Sequence, residues 1–174
     1  MNEDLKFAFS NVNDWLKFAE AKNAGLLALN LASIIGLLQS ASSFTNIKAL
    51  YGILITIFCI SSLICVYTII PLLNKLFRLY KKLDDSEFTA QKQRLNYLYF
   101  GDITKLSPEQ YIELYKNKNA SASISQIDYD LALQITNNAE ISWQKYVIFR
   151  VACYGTFIGY TLGIITIIIA CFTH

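Results

Sequence analysis

Three stretches of this chain carry no Asp, Glu, Lys or Arg, and each is long enough to cross a lipid bilayer. They cover residues 23–47, 49–74 and 151–174. The hydrocarbon core of a bilayer requires about 20 consecutive, mostly apolar residues in a helix. A surface helix of a soluble protein would place charged or polar residues along one face over such a length. The sequence therefore predicts an integral membrane protein with three transmembrane helices.

Composition and periodicity extend this prediction to the whole chain. Hydrophobic residues make up 54% of the sequence and charged residues 16%, whereas soluble domains have about 25% charged residues. No segment alternates as a strand would, so we expect an all-α fold. Residues 1–83 should hold an amphipathic helix, two spans and a helical extension. Residues 84–122 should form a small helical insert, and residues 123–174 a long helix that becomes the third span.

Local motifs indicate where the individual helices begin and end. Ser107-Pro108-Glu109-Gln110 is a capping box with proline at the first helical position, and Ser86 and Ser123 are further candidate N-caps. Pro71 predicts a kink in the second helix, and Phe100-Gly101-Asp102 a turn. The predicted helices cover residues 5–38, 48–83, 86–98, 107–116 and 123–172.

Polar residues interrupt the apolar face of the first span. Glu20, Asn23 and Asn30 lie at or within it. Polar groups inside a membrane are costly unless they face a partner helix or a watery cavity. Two interpretations follow: these residues line or lock a pore, or they form interhelical hydrogen bonds that only hold the bundle together.

Small residues recur every four positions in the first and third spans. Such stripes allow the backbone of a neighbouring helix to come close. The stripe of the third span would pack against the first helix of the same chain, or it would join two subunits of a homo-oligomer. The stripes consist of Ala28, Ala32 and Gly36 in the first span, and of Gly155, Gly159 and Gly163 in the third.

The distribution of basic residues predicts how the chain is oriented. Residues 75–150 contain 11 of the 15 lysines and arginines, the link between the first two spans contains only Lys48, and no charge follows Arg150. Because basic residues near spans favour the cytoplasmic side, we expect a cytoplasmic N-terminus, a cytoplasmic insert and a periplasmic C-terminus.

The insert interleaves basic and aromatic residues, in residues 77–82 and again in residues 92–100. Cations neutralise phosphates and aromatic faces stack on bases, so these patches could bind a nucleotide or a short single strand. They would equally suit a segment attracted to anionic lipid. The sequence has no glycine-rich phosphate loop and no G-x-S-x-G motif, and its only histidine is His174. We therefore expect neither enzymatic activity nor a cofactor.

Four segments resemble the Pycsar transmembrane effector family. Residues 15–30 resemble the opening helix of that family, and Tyr99-Phe-Gly-Asp-Ile103 with Ser107-Pro-Glu-Gln-Tyr111 resembles its middle segment. Residues 138–146 resemble the start of its last span, although Ala139 stands where the family more often has serine. The resemblance implies an anti-phage effector of the bacterial inner membrane. Such effectors respond to a nucleotide signal made by a partner nucleotidyltransferase or cyclase, and related Hailong systems use a short DNA oligomer.

Together the patterns and the resemblance give two functional hypotheses. In the first, the chain is a ligand-gated oligomeric pore, with Glu20, Asn23 and Asn30 at the gate. In the second, it is a non-conducting scaffold or sensor whose insert binds a protein partner. Under the first hypothesis, Lys81, Lys82, Lys92, Arg94 and Lys145 would hold phosphate, and Tyr97 and Phe100 would stack on a base.

Overall fold

The computed structural model describes residues 2–40, 48–69, 80–119 and 124–173. Six helices follow one another, and no strand occurs among these residues, so the predicted all-α fold is confirmed. The helices are α1 (Glu3–Ser40), α2 (Lys48–Ile69), α3 (Asp85–Gln91), α4 (Phe100–Ile103), α5 (Pro108–Lys118) and α6 (Gln126–Thr173).

Three of these helices, α1, α2 and α6, are long and apolar enough to cross a membrane, which confirms the predicted number of spans. Their outward surface is apolar: Leu63 of α2 is 69% exposed and Phe157 of α6 is 71% exposed. A soluble bundle would bury such side chains, whereas hydrocarbon solvates them. With 48 residues, α6 is about 70 Å long and extends well beyond a hydrocarbon core.

The chain divides into two compact units. Residues 1–19 and 74–146 form one, here called the polar unit, and residues 20–73 and 147–174 form the other, here called the span unit. Helices α1 and α6 each contribute residues to both units. The ranges 1–83, 84–122 and 123–174 follow the order of the chain and stay a prediction about its domains.

An apolar core holds the polar unit together. It combines the first turns of α1 with the short helices and the first half of α6, and Tyr111, Tyr115 and Ile135 are fully buried in it. The Ser107 capping box is present as predicted: the Ser107 side chain accepts from the Gln110 amide, and the Gln110 side chain accepts from the Ser107 amide. This reciprocal pair satisfies two backbone donors at the start of α5.

Two helix starts differ from the prediction. The cap of α3 is Asp84 rather than Ser86, because the Asp84 carboxylate accepts from the Glu87 amide at 2.8 Å and Ser86 donates to the same carboxylate. Helix α3 also ends at Gln91 instead of Leu98. Helix α6 begins at Gln126, where the Ser125 hydroxyl accepts from the Asp128 amide, and Ser123 lies outside the described residues.

The predicted extension of the second helix to residue 83 is wrong at its end. Helix α2 is described to Ile69, and the following residues 70–79, with Pro71, lie outside the described part. Residues 80–83 are not helical, and the Leu83 amide donates to Lys105 O at 2.8 Å. In a continuous helix the Leu83 amide would instead donate to the carbonyl four residues earlier. The predicted turn at Phe100 is the single helical turn α4.

Candidate functional site

Asn30 of α1 lies at the centre of a polar cluster that joins the three spans. Its Nδ2 donates to Ser61 Oγ of α2 at 2.9 Å, and its Oδ1 accepts from Thr156 Oγ1 of α6 at 2.8 Å. Ser61 Oγ and Thr156 Oγ1 are 2.9 Å apart, and Ser61 Oγ also lies 2.9 Å from Ala152 O. We call Asn30, Ser61 and Thr156 the polar clasp. Its three side chains are at most 5% exposed.

The interior of the span unit is more polar than its surface. Among its described residues, the buried apolar side chains are Tyr51, Leu54, Phe58, Cys65 and Ala152, whereas seven buried side chains are polar. Buried Ser62, Thr68 and Thr166 each donate to a carbonyl of their own helix, a local bond that satisfies the hydroxyl without a neighbour. The clasp differs from them because its bonds cross between helices. The seven polar residues are Asn23, Asn30, Ser61, Ser62, Thr68, Thr156 and Thr166.

The other two predicted gate residues lie in different environments. Asn23 is 2% exposed and lies two helical turns before Asn30, on the buried side of α1. Glu20 is exposed. Of the three residues predicted at a gate, the structure therefore places two asparagines in the interior of the span unit and one carboxylate at its surface.

Two glycines of the α6 stripe pack within the chain, but on α2 rather than on α1. A Cβ built at Gly159 would lie 2.9 Å from Phe58 Cζ, and one at Gly155 would lie 3.5 Å from Ser61 Cβ. A Cβ at Gly163 would meet no atom within 4 Å. The prediction that these glycines pack against the first helix is therefore wrong, because the helix they contact is α2. The close approach at Gly155 also sets Ser61 beside α6, where the clasp forms.

The small-residue stripe of α1 behaves differently. Ala28, Ala32 and Gly36 are all exposed, and a Cβ at Gly36 would meet nothing within 4 Å. Within the described part of one chain, no helix packs closely on this stripe.

Several of the predicted ligand-binding cations form ion pairs within the polar unit. Lys81 pairs with Glu87 at 2.8 Å, and Lys92 pairs with Glu113 at 2.7 Å. The hydrogen bond from Lys81 holds the pKa of the Glu87 carboxyl below its usual value.

Lys82 is bound more firmly than its neighbour. It pairs with Glu140 of α6 and donates to Leu106 O at 2.5 Å. Tyr80 adds a third bond, since its hydroxyl donates to Glu140 at 2.5 Å. Segment 80–83 is therefore attached to α6 through one carboxylate.

The remaining predicted ligand residues do not form one surface. Arg94 is exposed, Lys145 is buried, and the Tyr97 ring packs against Tyr115 at 5.7 Å between centroids. Phe100 is only 6% exposed, because its ring packs against Trp15, Trp143 and Tyr146 at centroid distances of 5.2, 6.3 and 5.3 Å. In this structure Phe100 is a core residue. A base could stack on it only if this aromatic cluster opened.

Sequence reasoning found Asn30 but missed its partners. Ser61 and Thr156 are hydroxyl residues in apolar stretches, where many such residues bond to their own helix. What distinguishes them is their position opposite Asn30, which depends on how the three helices are rotated.

These features define a class of protein: a three-span helical membrane protein with a polar clasp between its spans and a folded polar unit built on the ends of α1 and α6. The chain belongs to the PycTM family, because the model of the Pycsar effector protein domain matches residues 4–172. No curated protein and no solved structure gave a significant match. The family assignment makes the chain a membrane effector of anti-phage defence, of a family that acts with a cyclic nucleotide signal.

Proposed function

We propose that this chain assembles into an oligomeric pore that a nucleotide signal opens, and that the open pore impairs the inner membrane of an infected cell. The signal would come from a partner nucleotidyltransferase or cyclase. The result would be growth arrest or cell death. In this proposal the chain acts by binding and conducting, without catalysing a reaction.

The observation that carries the proposal is the polar interior of the span unit. Asn30, Ser61 and Thr156 satisfy one another across three helices, so the closed subunit keeps its polar groups away from lipid. A simple anchor has no need of such groups, since apolar packing alone would hold three spans. If the helices rotate, the same side chains can face a water-filled lumen shared between subunits.

The exposed stripe of α1 supports assembly. Ala28, Ala32 and Gly36 are exposed inside the predicted span, and a Cβ built at Gly36 would meet no atom within 4 Å. Small residues at this spacing let a second helix approach closely, and van der Waals packing then drives association in lipid. We propose that this surface meets a second copy of the chain.

The orientation in the proposal follows from the distribution of basic residues. With 11 of 15 lysines and arginines in residues 75–150, the polar unit would face the cytoplasm, where a nucleotide signal is made. A protease-accessibility assay on spheroplasts tests this arrangement. Cleavage of the polar unit from outside would contradict it.

Flux through liposomes tests the pore directly. The purified chain is reconstituted into vesicles loaded with a self-quenching dye, and cyclic mononucleotides are added one at a time. The expected result is release of the dye with at least one nucleotide and little release without any. An Asn30→Leu chain serves as the comparison, and its flux should no longer depend on the nucleotide. Absence of nucleotide-dependent flux from the unaltered chain would reject the pore.

A second candidate function is a non-conducting scaffold or sensor. The observation that favours it is the pairing of Lys81, Lys82 and Lys92 with carboxylates of the same chain, because these contacts occupy three of the lysines predicted to hold phosphate. This alternative predicts that Asn23→Leu and Asn30→Leu leave defence intact. Loss of defence, or toxicity without infection, in either variant favours the pore.

A further inference from the structure

The polar unit contains a concave cleft of about 330 Å³ between segment 80–91, α4 and α6. Ligand pockets for small molecules have volumes of roughly 300 to 1,000 Å³. The cleft is thus at the small end of this range, where it can hold a single nucleotide. Of the residues predicted to bind a ligand, only Lys81 lines it.

Two cations of the cleft are held by bonds that a ligand could replace at little cost. Lys81 pairs with Glu87, and Lys105 pairs with Asp102 at 3.1 Å. The Lys81 side chain is 78% exposed and that of Lys105 is 43% exposed. Ion pairs with an exposed lysine contribute little to stability. An incoming phosphate offers each ammonium group an anionic acceptor for a charge-assisted hydrogen bond.

The remaining wall of the cleft suits a nucleobase. Trp143 of α6 supplies an indole, Tyr80 supplies a phenol ring, and Gln91 supplies an amide that can both donate and accept. A base can stack on such an aromatic side chain whatever its sequence identity, because every base has a flat π-face. Two lysines and two aromatic side chains therefore line one cavity.

We propose that this cleft binds a mononucleotide, with its phosphate between Lys81 and Lys105 and its base against Trp143. The inference rests on the proposed function, and it places the gating signal at a site other than the patch in residues 92–100.

The same cleft adjoins the attachment of segment 80–83 to α6. Tyr80 lines the cleft and donates to Glu140, which also pairs with Lys82. Glu140 lies one helical turn before Trp143, on the helix that becomes the third span. A ligand that takes the Tyr80 hydroxyl away from Glu140 weakens this attachment. Occupancy of the cleft thereby acts on the polar end of α6.

Tryptophan fluorescence of the full chain in detergent tests the site, because the protein has two tryptophans and only Trp143 lines the cleft. The probes are the four cyclic mononucleotides, inorganic phosphate and a trinucleotide DNA. We expect one cyclic mononucleotide to quench the emission, in the Trp15→Phe chain as well. In Trp143→Phe the nucleotide-dependent change should disappear. If no mononucleotide binds, or the trinucleotide binds more tightly, the proposal is overturned.

Variants that replace lysine or arginine with glutamine test where the phosphate of the nucleotide binds. Lys81→Gln with Lys105→Gln should weaken binding at least tenfold. The matched control is Lys6→Gln with Lys17→Gln, which removes two lysines from similar exposed ion pairs of α1 and should change affinity less than twofold. Equal loss in both double variants would overturn the proposal. Loss in Arg94→Gln, with binding retained in the cleft variant, would overturn it too and place the ligand at the patch in residues 92–100.

Binding and flux measurements together distinguish failure of the proposed cleft from failure of the proposed pore. Binding that depends on Lys81 and Lys105, without flux in liposomes, supports the cleft and rejects the pore. Nucleotide-dependent flux that persists unchanged in the cleft variant rejects the cleft and leaves the pore standing.

Discussion

Asn30 of α1 and Ser61 of α2 share a hydrogen bond of 2.9 Å in the interior of the span unit, from Asn30 Nδ2 to Ser61 Oγ. Thr156 of α6 completes the clasp, because its hydroxyl donates to Asn30 Oδ1. One side chain thus contacts both neighbouring spans. In lipid, where apolar packing distinguishes poorly between helix rotations, such bonds fix the rotation of each helix relative to the others.

Replacing Asn30 with leucine removes the centre of the clasp. We expect a loss of stability of about 1 to 2 kcal/mol, the scale of interhelical hydrogen bonds in membranes. Under the proposed pore function we also expect growth arrest without infection, because loss of the clasp weakens the contacts that would keep the pore closed. Thermal unfolding in detergent and growth curves after induction measure the two effects.

The control for this variant is Ser33→Ala. Ser33 and Tyr160 also join α1 to α6, at 2.6 Å between hydroxyl oxygens, but on the exposed side. Ser33 Oγ bonds to Leu29 O of its own helix as well. Ser33→Ala should therefore grow normally. If both variants grow like the unaltered chain, the clasp does not control activity.

Glycine substitutions in α6 should differ by position. Gly159→Val places its side chain against the buried ring of Phe58, whereas the same change at Gly163 meets open space. The helix propensity effect is the same at both positions, so the difference reports packing alone. Overpacking costs about 1 to 3 kcal/mol, so Gly159→Val should have the lower free energy of unfolding by this amount and should melt at the lower temperature. Equal melting temperatures for the two variants would show that α2 does not pack closely here.

The three spans and the Ser107 cap were predictable because each depends on local sequence. A bilayer demands a long apolar helix whatever lies around it, and a capping box satisfies its own backbone donors. The start of α3 was harder, since Asp84 and Ser86 are both good caps. The carboxylate prevails because Glu87 reciprocates three residues later.

The details that depend on distant contacts were not predictable from periodicity. Phe100 lies among basic and aromatic residues in the sequence, yet rings from α1 and α6 cover it. The end of the helical extension likewise depends on the bond between Leu83 and Lys105. The cleft was missed for the same reason, because Lys105 lies in the turn after α4 and Trp143 lies in α6, and only the fold brings both to the cleft that Lys81 lines.

The attachment of Lys82 to Glu140 should matter more than that of Lys92 to Glu113. Glu140 is 21% exposed and accepts from two side chains, whereas Glu113 is 60% exposed and accepts from one. Glu140→Gln should cost about 1 to 2 kcal/mol, between the values for surface and buried pairs. Glu113→Gln should cost less than about 1 kcal/mol. Chemical unfolding of the two chains in one detergent measures the difference, and the reverse order would contradict the structure.

Acid should weaken the start of α6 through Asp128. Hydrogen bonds from the Ser125 hydroxyl, the Asn2 amide and the Ser125 amide lower the pKa of Asp128 to about 2 from 3.8. Because the folded pKa is the lower one, the stabilisation is present above about pH 4 and is lost as pH falls toward 2. We expect the free energy of unfolding to decrease by an amount on the order of 1 to 2 kcal/mol over this window.

Two variants test this assignment. Residue 128 cannot ionise in Asp128→Asn, so the stability of that chain should change less with pH between 4 and 2. Asp130→Asn, whose partner Gln126 is uncharged, should keep the full pH dependence. Parallel acid titrations of the three chains by far-UV circular dichroism decide between these outcomes, and an unchanged pH slope in Asp128→Asn would assign the acid sensitivity to another group.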